Sequence, residues 1–235
     1  MNSETMTVPI GISQIFPCSY LASQQEQLLV IQQSVTPQLY ERLMALGFRR
    51  SGQSIYQPRC PQCSACQPIR INSQQFTPSS RQKRNARKGS HLSWQIKHTP
   101  CDDHYSRYEK YIRLRHADGA MFPPSLEQYQ DFLICNWLEQ LYIELYDGDK
   151  LIGVAVTDCT MNSLSAVYSY FDPDYEALSP GNLLILKQLA IAKQLAKDYV
   201  YLGYQIDANR KMCYKRQFRP YEILTTQGWV TSAEI

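Results

Sequence analysis

Apolar residues recur at helical spacing in four segments of the chain, which predicts four helices. For the first helix, Thr36 is a suitable cap, Pro37 suits the first turn and Gly47 can end the helix. Ser125 is a suitable cap for the third. The four segments are residues 38–46, 102–116, 125–138 and 182–198.

Other segments show the period-two alternation of strands, or short runs rich in Tyr, Val and Ile. A hairpin is predicted over residues 141–160, with its turn at Asp147-Gly148-Asp149. Residues 48–60 fit either a strand or a loop. Single strands are predicted over residues 69–76, 93–99, 163–171 and 199–206.

The order of these elements predicts the fold class. After residue 100 the chain runs helix, helix, antiparallel strands, helix and strand, which suits an α+β domain of the acyl-CoA N-acyltransferase type. In that fold the acyl donor is held where a strand gives way to a helix. We therefore expect a small, basic, cysteine-containing N-terminal module over residues 1–100 and an acyltransferase-like domain over residues 101–235.

Charge is distributed unevenly along the chain. Between Arg42 and Cys101 there is no Asp or Glu, but there are eleven Lys and Arg residues. Five of them fall within residues 81–88 (RQKRNARK), where they could span adjacent phosphates. A stretch of one sign favours a polyanionic partner or an acidic ligand, although a solvated basic surface has the same pattern.

The composition is that of a folded protein, with 44% hydrophobic and 19% charged residues among 235. No apolar run approaches the roughly 20 residues that span a bilayer, and residues 1–14 lack the features of a secretory signal. We therefore expect a cytoplasmic protein with no membrane partner. In a reducing cytosol, the eight cysteines are not expected to form a disulfide framework.

Three of the cysteines are closely spaced. Cys60, Cys63 and Cys66 are each separated by two residues, and Cys18 is the candidate fourth ligand from the same module. Four thiolates can hold a structural zinc ion or an iron–sulfur cluster. Buried free thiols, which pack as small apolar groups, would give the same pattern. The sequence leaves these three alternatives open.

Other local motifs exclude more than they support. The loop SPGN (179–182) has a single glycine, which makes a poor cradle for the pyrophosphate of coenzyme A. His116 is a candidate general base, or a residue that only packs at a helix end. Cys213 has no histidine beside it to make it a nucleophile. The Walker, Rossmann, His-Glu-x-x-His and Gly-x-Ser-x-Gly motifs are absent from the sequence.

Six motifs are distributed along nearly the whole chain and recur in the same order in one known family. Three lie in the first half: CSYL (18–21), YERLMALGFRRSG (40–52) and Y-x-P-x-C-x-x-C-x-x-C-x-P-x-R (56–70). Three lie in the second half: RHADGAMFPP (115–124), VYSYFDPDY (167–175) and YLGYQI (201–206) with KMCYKRQFRPYEIL (211–224). With these motifs, the chain resembles the arginyl-tRNA–protein transferase family.

The resemblance implies an enzyme that moves leucine from leucyl-tRNA to proteins with N-terminal Asp or Glu and so marks them for N-degron degradation. An aminoacyl ester is already activated, so the enzyme needs to position an amine and stabilise an oxyanion, without a covalent intermediate. No cofactor is then required besides the aminoacyl-tRNA. Leu21 replaces the second cysteine of the arginyl members, and Gln205 replaces a usual aromatic residue. These departures leave the bound metal and the transferred amino acid open.

The resemblance also suggests site residues. The candidates for the transfer pocket are Tyr204, Lys211, Tyr214, Lys215 and His116. The candidates for substrate binding are Arg81, Arg84, Arg87, Asp118, Tyr168 and Tyr170. Among these, the arginines suit tRNA phosphates or the acidic acceptor side chain.

Two other functions compete with this interpretation. A non-catalytic, zinc-ribbon-type RNA-binding protein would explain the cysteines and the basic stretch, but not the tyrosine-rich second half. A coenzyme A-dependent N-acetyltransferase would need a pyrophosphate cradle, which the SPGN loop does not supply.

Overall fold

Three sheets and five α-helices make up the computed structural model, which describes residues 7–232. The helices are α1 Pro37–Ala45, α2 Ser80–Lys88, α3 Asp102–Arg115, α4 Leu126–Leu133 and α5 Pro180–Gln194, with 3-10 turns at Pro173–Leu178 and Cys213–Gln217. The strands of the first half are β1 Gly11–Ile12, β2 Phe16–Pro17, β3 Gln25–Glu26, β4 Leu28–Ile31, β5 Arg49–Ser51, β6 Ser54–Pro58, β7 Gln67–Asn72 and β8 Ser93–Lys97. Those of the second half are β9 Glu139–Asp147, β10 Lys150–Cys159, β11 Ser163–Phe171, β12 Tyr199–Gln205, β13 Glu222–Thr225 and β14 Gly228–Thr231.

The largest sheet has the order β14-β13-β7-β12-β11-β10-β9-β8. Its strands pair antiparallel except β11 and β12, which are parallel and are connected through α5. A smaller antiparallel sheet has the order β1-β4-β6-β5, and β2 pairs with β3. The division at residue 100 stays a prediction, and both β7 and β8, which precede that residue, pair within the large sheet.

The helix signals in the sequence correspond to the helix starts. Thr36 Oγ1 accepts a hydrogen bond from the Leu39 amide, and Ser125 Oγ accepts one from the Gln128 amide. The predicted helix over 125–138 is too long, because α4 ends at Leu133. Gln140 explains this end: its amide group accepts from the Cys135 N–H at 2.8 Å and donates to the Leu133 carbonyl at 2.9 Å.

Apolar side chains cover both faces of the large sheet. Leucines and isoleucines of α5 pack on one face, with Leu184 fully buried. On the other face, α3 and α4 pack a group of tyrosines that includes Tyr108, Tyr129 and Tyr170. A third cluster lies between α1 and the smaller sheet. No helix within residues 7–232 is both long enough and apolar enough to cross a membrane.

A buried carboxylate fixes α3 against the end of β11. Asp172 accepts hydrogen bonds from Arg107 at 2.8 Å and from Lys110 at 2.5 Å. Burial by itself would raise the pKa of this carboxyl, but hydrogen bonds from Lys110 and Lys150 lower the pKa of Asp172 to about 2. The C-terminal end of α3, where His116 lies, is therefore held in register with β11.

A second buried ion pair joins the smaller sheet to the large one. Arg50 in β5 binds Asp158 in β10 with two hydrogen bonds, of 2.8 and 2.7 Å, and neither side chain is exposed. The hairpin turn after β5 also contacts α4 directly, because the Gly52 amide donates to the Phe132 carbonyl at 2.7 Å. Gly52 has a φ of +59°, a conformation that glycine adopts without strain.

Replacing Gly52 by alanine tests this junction. The added Cβ would lie 1.8 Å from the Asp131 carbonyl oxygen, a backbone atom that cannot move aside alone. We expect the free energy of unfolding to fall by about 3 kcal/mol or more in urea denaturation.

Gly148→Ala is the matched control. Gly148 has a similar φ of +56°, but no atom lies within 4 Å of the position that an added Cβ would take. The free energy of unfolding should therefore fall by only about 1 kcal/mol, the backbone strain of alanine at a positive φ. Equal losses in the two variants would contradict a close contact between the hairpin and α4.

Candidate functional site

A gap opens between the two parallel strands of the large sheet. Pairing between β11 and β12 extends from Ser163–Tyr199 to Ser165–Tyr201, while the strands themselves continue to Phe171 and Gln205. Beyond these pairs the strands diverge, so backbone groups at the facing edges become available to a ligand. We call this region the cleft.

Lys215 lies on the 3-10 turn that follows β12 and contacts the β12 backbone. Its ammonium donates to the Tyr204 carbonyl at 2.5 Å and lies 3.8 Å from the Met212 sulfur. Burial and the nearby charge of Arg49 lower the pKa of Lys215 to about 7. A neutral amine, which can accept a proton, is therefore populated near neutral pH.

Arg49 is buried beside Lys215 and has no carboxylate within residues 7–232 as an ion-pair partner. Its guanidinium donates to the carbonyls of Met44 and Phe48. It lies 4.9 Å from the ring centre of Tyr201 and 5.5 Å from that of Tyr204, within range of cation–π attraction. The base of the cleft therefore carries positive charge that the described carboxylates leave uncompensated.

Two of the tyrosines predicted for the site are held in the interior. The Tyr204 hydroxyl donates to the Gly47 carbonyl at 2.7 Å. The Tyr170 hydroxyl lies 3.1 Å from that of Tyr129, and its ring is fully buried. Their side chains thus support the walls of the cleft from behind, and a direct contact of either with substrate stays a prediction.

Tyr168, by contrast, is half-buried at the cleft. Its ring packs against Tyr108, Tyr111 and Phe132, with ring centres 5.4–6.5 Å apart. Burial raises the pKa of Tyr168 well above its ordinary value, and the nearby phenols of Tyr111, Tyr108 and Tyr214 raise it further. Burial likewise raises the pKa of Tyr214 to about 12. Both phenols stay neutral at physiological pH, and together they form an apolar aromatic wall.

His116 and an exposed ion pair lie at the edge of the cleft. The His116 ring centre lies 5.0 Å from that of Tyr111. Lys211 Nζ lies 3.0 Å from Asp118 Oδ1, which joins the loop after α3 to the loop after β12. Burial, Lys211 and Arg115 lower the pKa of His116, so the imidazole is neutral at physiological pH.

The basic segment forms helix α2, on which every third residue is an exposed arginine. The three are Arg81, Arg84 and Arg87. None of them forms an ion pair with a carboxylate in the described part of the chain. Gln82, on the opposite side of α2, donates to the Gln217 carbonyl at 3.3 Å. Because Gln217 ends the turn that carries Lys215, this contact ties α2 to that turn, and the arginines are exposed on the other side of the helix.

The four cysteines of the N-terminal module approach each other without forming a ligand set. Burial, followed by the thiols of Cys60, Cys18 and Cys63, raises the pKa of Cys66 to about 12. Within residues 7–232, however, no three of the four sulfur atoms lie within 4.8 Å of one another. The donor types suit zinc or an iron–sulfur cluster. The spacing of the described sulfur atoms does not fit a single bound ion, and we derive no step through a metal.

Cys101, His104 and Glu144 do bring three ligand-type atoms within 4.8 Å. His104 Nδ1 accepts from the Cys101 amide, which places the ring proton on Nε2, where it donates to Glu144 at 2.6 Å. Lys97 contacts the same carboxylate oxygen at 3.2 Å. Nε2 then has no free lone pair and a cation is already present, so these residues form a buried polar network that does not fit a metal ion.

The structure brings together several predicted residues and adds others. Lys215, Tyr214, Tyr168, His116, Lys211 and Asp118 all lie around the cleft. Sequence reasoning missed Arg49 and Tyr111 as site residues. Arg49 lies in the stretch without Asp or Glu. Nothing in the sequence pattern distinguishes it from its neighbour Arg50, which forms the buried ion pair with Asp158.

Two family models match most of the chain. "Arginine-tRNA-protein transferase, N terminus" matches residues 16–84, and "Arginine-tRNA-protein transferase, C terminus" matches residues 103–225. A protein of Shewanella sp. (strain MR-4) named aspartate/glutamate leucyltransferase is 61% identical over 232 residues, which cover 97% of this chain and 98% of that protein. A protein of the same name from Aeromonas salmonicida (strain A449) is 45% identical over 97% of this chain and 96% of its own.

Solved structures with low sequence identity share the fold. FemX aligns with a TM-score of 0.52 and 7% identity over 83% of this chain and 69% of FemX. The C-terminal domain of a protein from Agrobacterium fabrum, described as a lysylphosphatidylglycerol synthetase, aligns with a TM-score of 0.50 and 12% identity over 83% of this chain and 65% of its own. The predicted α+β class, with an acyl-CoA N-acyltransferase-like domain and a small N-terminal module, is confirmed.

The lowered pKa of Lys215 can be measured by competitive labelling with acetic anhydride followed by peptide mass spectrometry. We expect the acetylation rate of Lys215 to rise between pH 6 and pH 8, because the amine loses its proton near pH 7. Lys110 is the internal control: hydrogen bonds from its ammonium to Asp172 and Asp174 raise its pKa, so it should stay unreactive in this range. Parallel profiles for the two lysines would contradict the assignment.

Proposed function

Since the chain belongs to the arginyl-tRNA–protein transferase family, we propose that it transfers leucine from leucyl-tRNA to the α-amino group of proteins that begin with Asp or Glu. The observation that carries the proposal is the identity of 61%, over nearly all of the chain, to proteins named aspartate/glutamate leucyltransferase. In a bacterial cytoplasm, where we place the enzyme, the added leucine would mark these proteins for N-degron degradation.

The exposed arginines of α2 support tRNA as the donor. A tRNA is a polyanion, and arginine side chains bind its phosphates through charge-assisted hydrogen bonds. Arg81, Arg84 and Arg87 have no described carboxylate partner that would have to be displaced first. Gln82 ties this helix to the turn that carries Lys215. A tRNA that binds along α2 would therefore lie close to the turn that carries Lys215.

In the reaction, an ester bond is replaced by an amide bond, and one proton moves from the amine to the leaving oxygen. The acceptor α-amine attacks the ester carbonyl carbon of leucyl-tRNA, a carbon–nitrogen bond forms, and the bond to the ribose oxygen breaks. The proton lost by the amine goes to the ribose oxygen of the departing tRNA. An α-amino group has a pKa of about 7.7–8.0, so part of it is already neutral at cytosolic pH.

Lys215 is suited to carry this proton. With a pKa of about 7 it can accept a proton from the attacking amine and return it to the leaving oxygen. Its hydrogen bond to the Tyr204 carbonyl fixes the amine against β12. His116, whose pKa is also lowered, is the alternative proton acceptor, near Lys211.

The aromatic wall suits the leucyl group and the terminal adenosine. Tyr168 and Tyr214 are neutral and partly buried, so they offer apolar surface to an aliphatic side chain and faces on which a base can stack. No cofactor is required by the proposed reaction, because the ester is already activated.

The two competing functions lack a supporting observation of this kind. A non-catalytic RNA-binding protein would share the basic surface of α2, but it would have no use for a cleft that holds a lysine with a pKa of about 7. A coenzyme A-dependent acetyltransferase would need several backbone amides exposed to the pyrophosphate at the start of α5. There the helix begins Pro180-Gly181-Asn182, and Gly181 is the one glycine that would let a phosphate approach the backbone closely.

The proposal is tested by incubating the protein with tRNA charged with labelled Leu, Phe or Arg and with peptides that begin with Asp, Glu, Lys or Ala. We expect labelled leucine on the Asp and Glu peptides alone. Transfer of another amino acid would keep the reaction class and change the donor. Binding of tRNA without transfer from any donor would contradict the proposal and favour the RNA-binding function.

The role of α2 is tested by Arg84→Gln combined with Arg87→Gln. We expect the affinity for leucyl-tRNA to fall by about tenfold or more, with a shallower salt dependence, because two phosphate contacts are lost. Filter binding at several salt concentrations measures both quantities. The matched control combines Arg113→Gln with Lys193→Gln, which removes two exposed cations from α3 and α5. An equal loss in the control would show that net charge, rather than α2, determines binding.

A further inference from the structure

The ion pair between Lys211 and Asp118 is exposed where two loops border the cleft. Lys211 Nζ lies 3.0 Å from Asp118 Oδ1 and 3.2 Å from Asp118 Oδ2, so both carboxylate oxygens are engaged. The side chains are 54% and 75% exposed. An ion pair so open to water contributes little to the stability of a fold and is easily exchanged for another.

The backbone around Lys211 is fixed more firmly than its side chain. The Lys211 amide donates to Asn209 Oδ1 at 2.9 Å, and Asn209 Nδ2 donates to the Tyr20 carbonyl at 2.9 Å. The Met212 amide closes the turn on the Asn209 carbonyl. These contacts tie the loop after β12 to the N-terminal module, and they leave the ammonium directed outwards at a defined place.

We propose that Lys211 recognises the acidic side chain of the acceptor, and that Asp118 occupies this position until the acceptor binds. The inference rests on the proposed function and names the residues that set its acceptor specificity. In the bound state the acceptor carboxylate replaces Asp118 on Lys211, and the released Asp118 carboxylate faces the acceptor α-ammonium.

The charges of the pair match those of the acceptor. An N-terminal Asp or Glu carries an ammonium and a carboxylate a few bonds apart, and the Lys211–Asp118 pair presents the complementary cation and anion about as close together. An N-terminal Asn or Gln lacks the anion, and an N-terminal Lys carries a second cation instead. A site of this kind separates the acceptors by charge, with a repulsive contact against the basic ones.

Two other cations near Lys211 are already engaged. Arg115 binds Glu176 at 2.5 Å, and Arg216 binds Asp207 at 2.5 Å and donates to the Tyr221 hydroxyl. The neutral imidazole of His116 does not compete for a carboxylate. Arg210 is exposed next to Lys211 and forms no ion pair with a carboxylate in residues 7–232, which makes it a suitable control.

The test compares kcat/KM for leucine transfer to two peptides that differ only in Glu or Gln at the first position. For Lys211→Met we expect the Glu-to-Gln ratio to fall by about 10- to 100-fold, the contribution of a hydrogen bond to a charged group. Lys211→Arg should restore most of the ratio, because it keeps the charge. Lys211→Glu, which keeps Asp118, should favour a peptide that begins with Lys over the Glu peptide.

The matched control is Arg210→Met, which removes the neighbouring exposed cation and should leave the ratio unchanged. A general role of Lys211 in folding or tRNA binding would lower transfer to both peptides in parallel, and an unchanged ratio in Lys211→Met would overturn the inference. If the wild-type protein transfers leucine but does not distinguish Glu from Gln, this inference fails and the transfer reaction stands. If it transfers to no peptide, the proposed function fails as well.

Discussion

A buried ion pair between Arg50 and Asp158 holds the smaller sheet against the large one, and the geometry of the cleft depends on it. Removing one partner of such a pair leaves an uncompensated buried charge, at a cost of about 3–5 kcal/mol. Successive side chains of a strand point to opposite faces. By binding Arg50 to Asp158 of β10, the pair therefore also fixes the position of Arg49 on the other face of β5. There the Arg49 guanidinium contacts Tyr201, Tyr204 and the Gly203 carbonyl of β12.

The chemistry of the cleft follows from where this positive charge lies. Arg49 is buried without a described carboxylate, and desolvation together with the charge of Arg49 lowers the pKa of Lys215. In the reaction that we propose, the same positive charge would keep the Lys215 amine neutral and attract both the tRNA and an acidic acceptor. The phenols of Tyr168 and Tyr214 stay neutral beside it because they too are desolvated.

Two loops and the N-terminal module surround the end of β12, and each is tied to the others by polar contacts. Asn209 donates to the Tyr20 carbonyl, and Lys211 pairs with Asp118 of the loop after α3. Asp172 holds α3 itself at the end of β11. The cysteines lie in this module near Tyr20, and within residues 7–232 no three of their sulfur atoms lie within 4.8 Å of one another.

Local signals in the sequence determined four of the five described helices, the caps at Thr36 and Ser125, the hairpin at Gly148 and the basic character of α2, because each depends on residues close together in the chain. Only the tertiary structure decided what depends on distant neighbours. When a strand is buried on both faces, the alternation of its residues does not show which side chains line a cleft. The sequence therefore did not reveal that Tyr170 and Tyr204 are held in the interior behind the cleft while Tyr168 lines it. Nor can it tell Arg49 from Arg50, or reveal that Lys215 is desolvated, since a pKa is set by the groups that folding brings around a side chain.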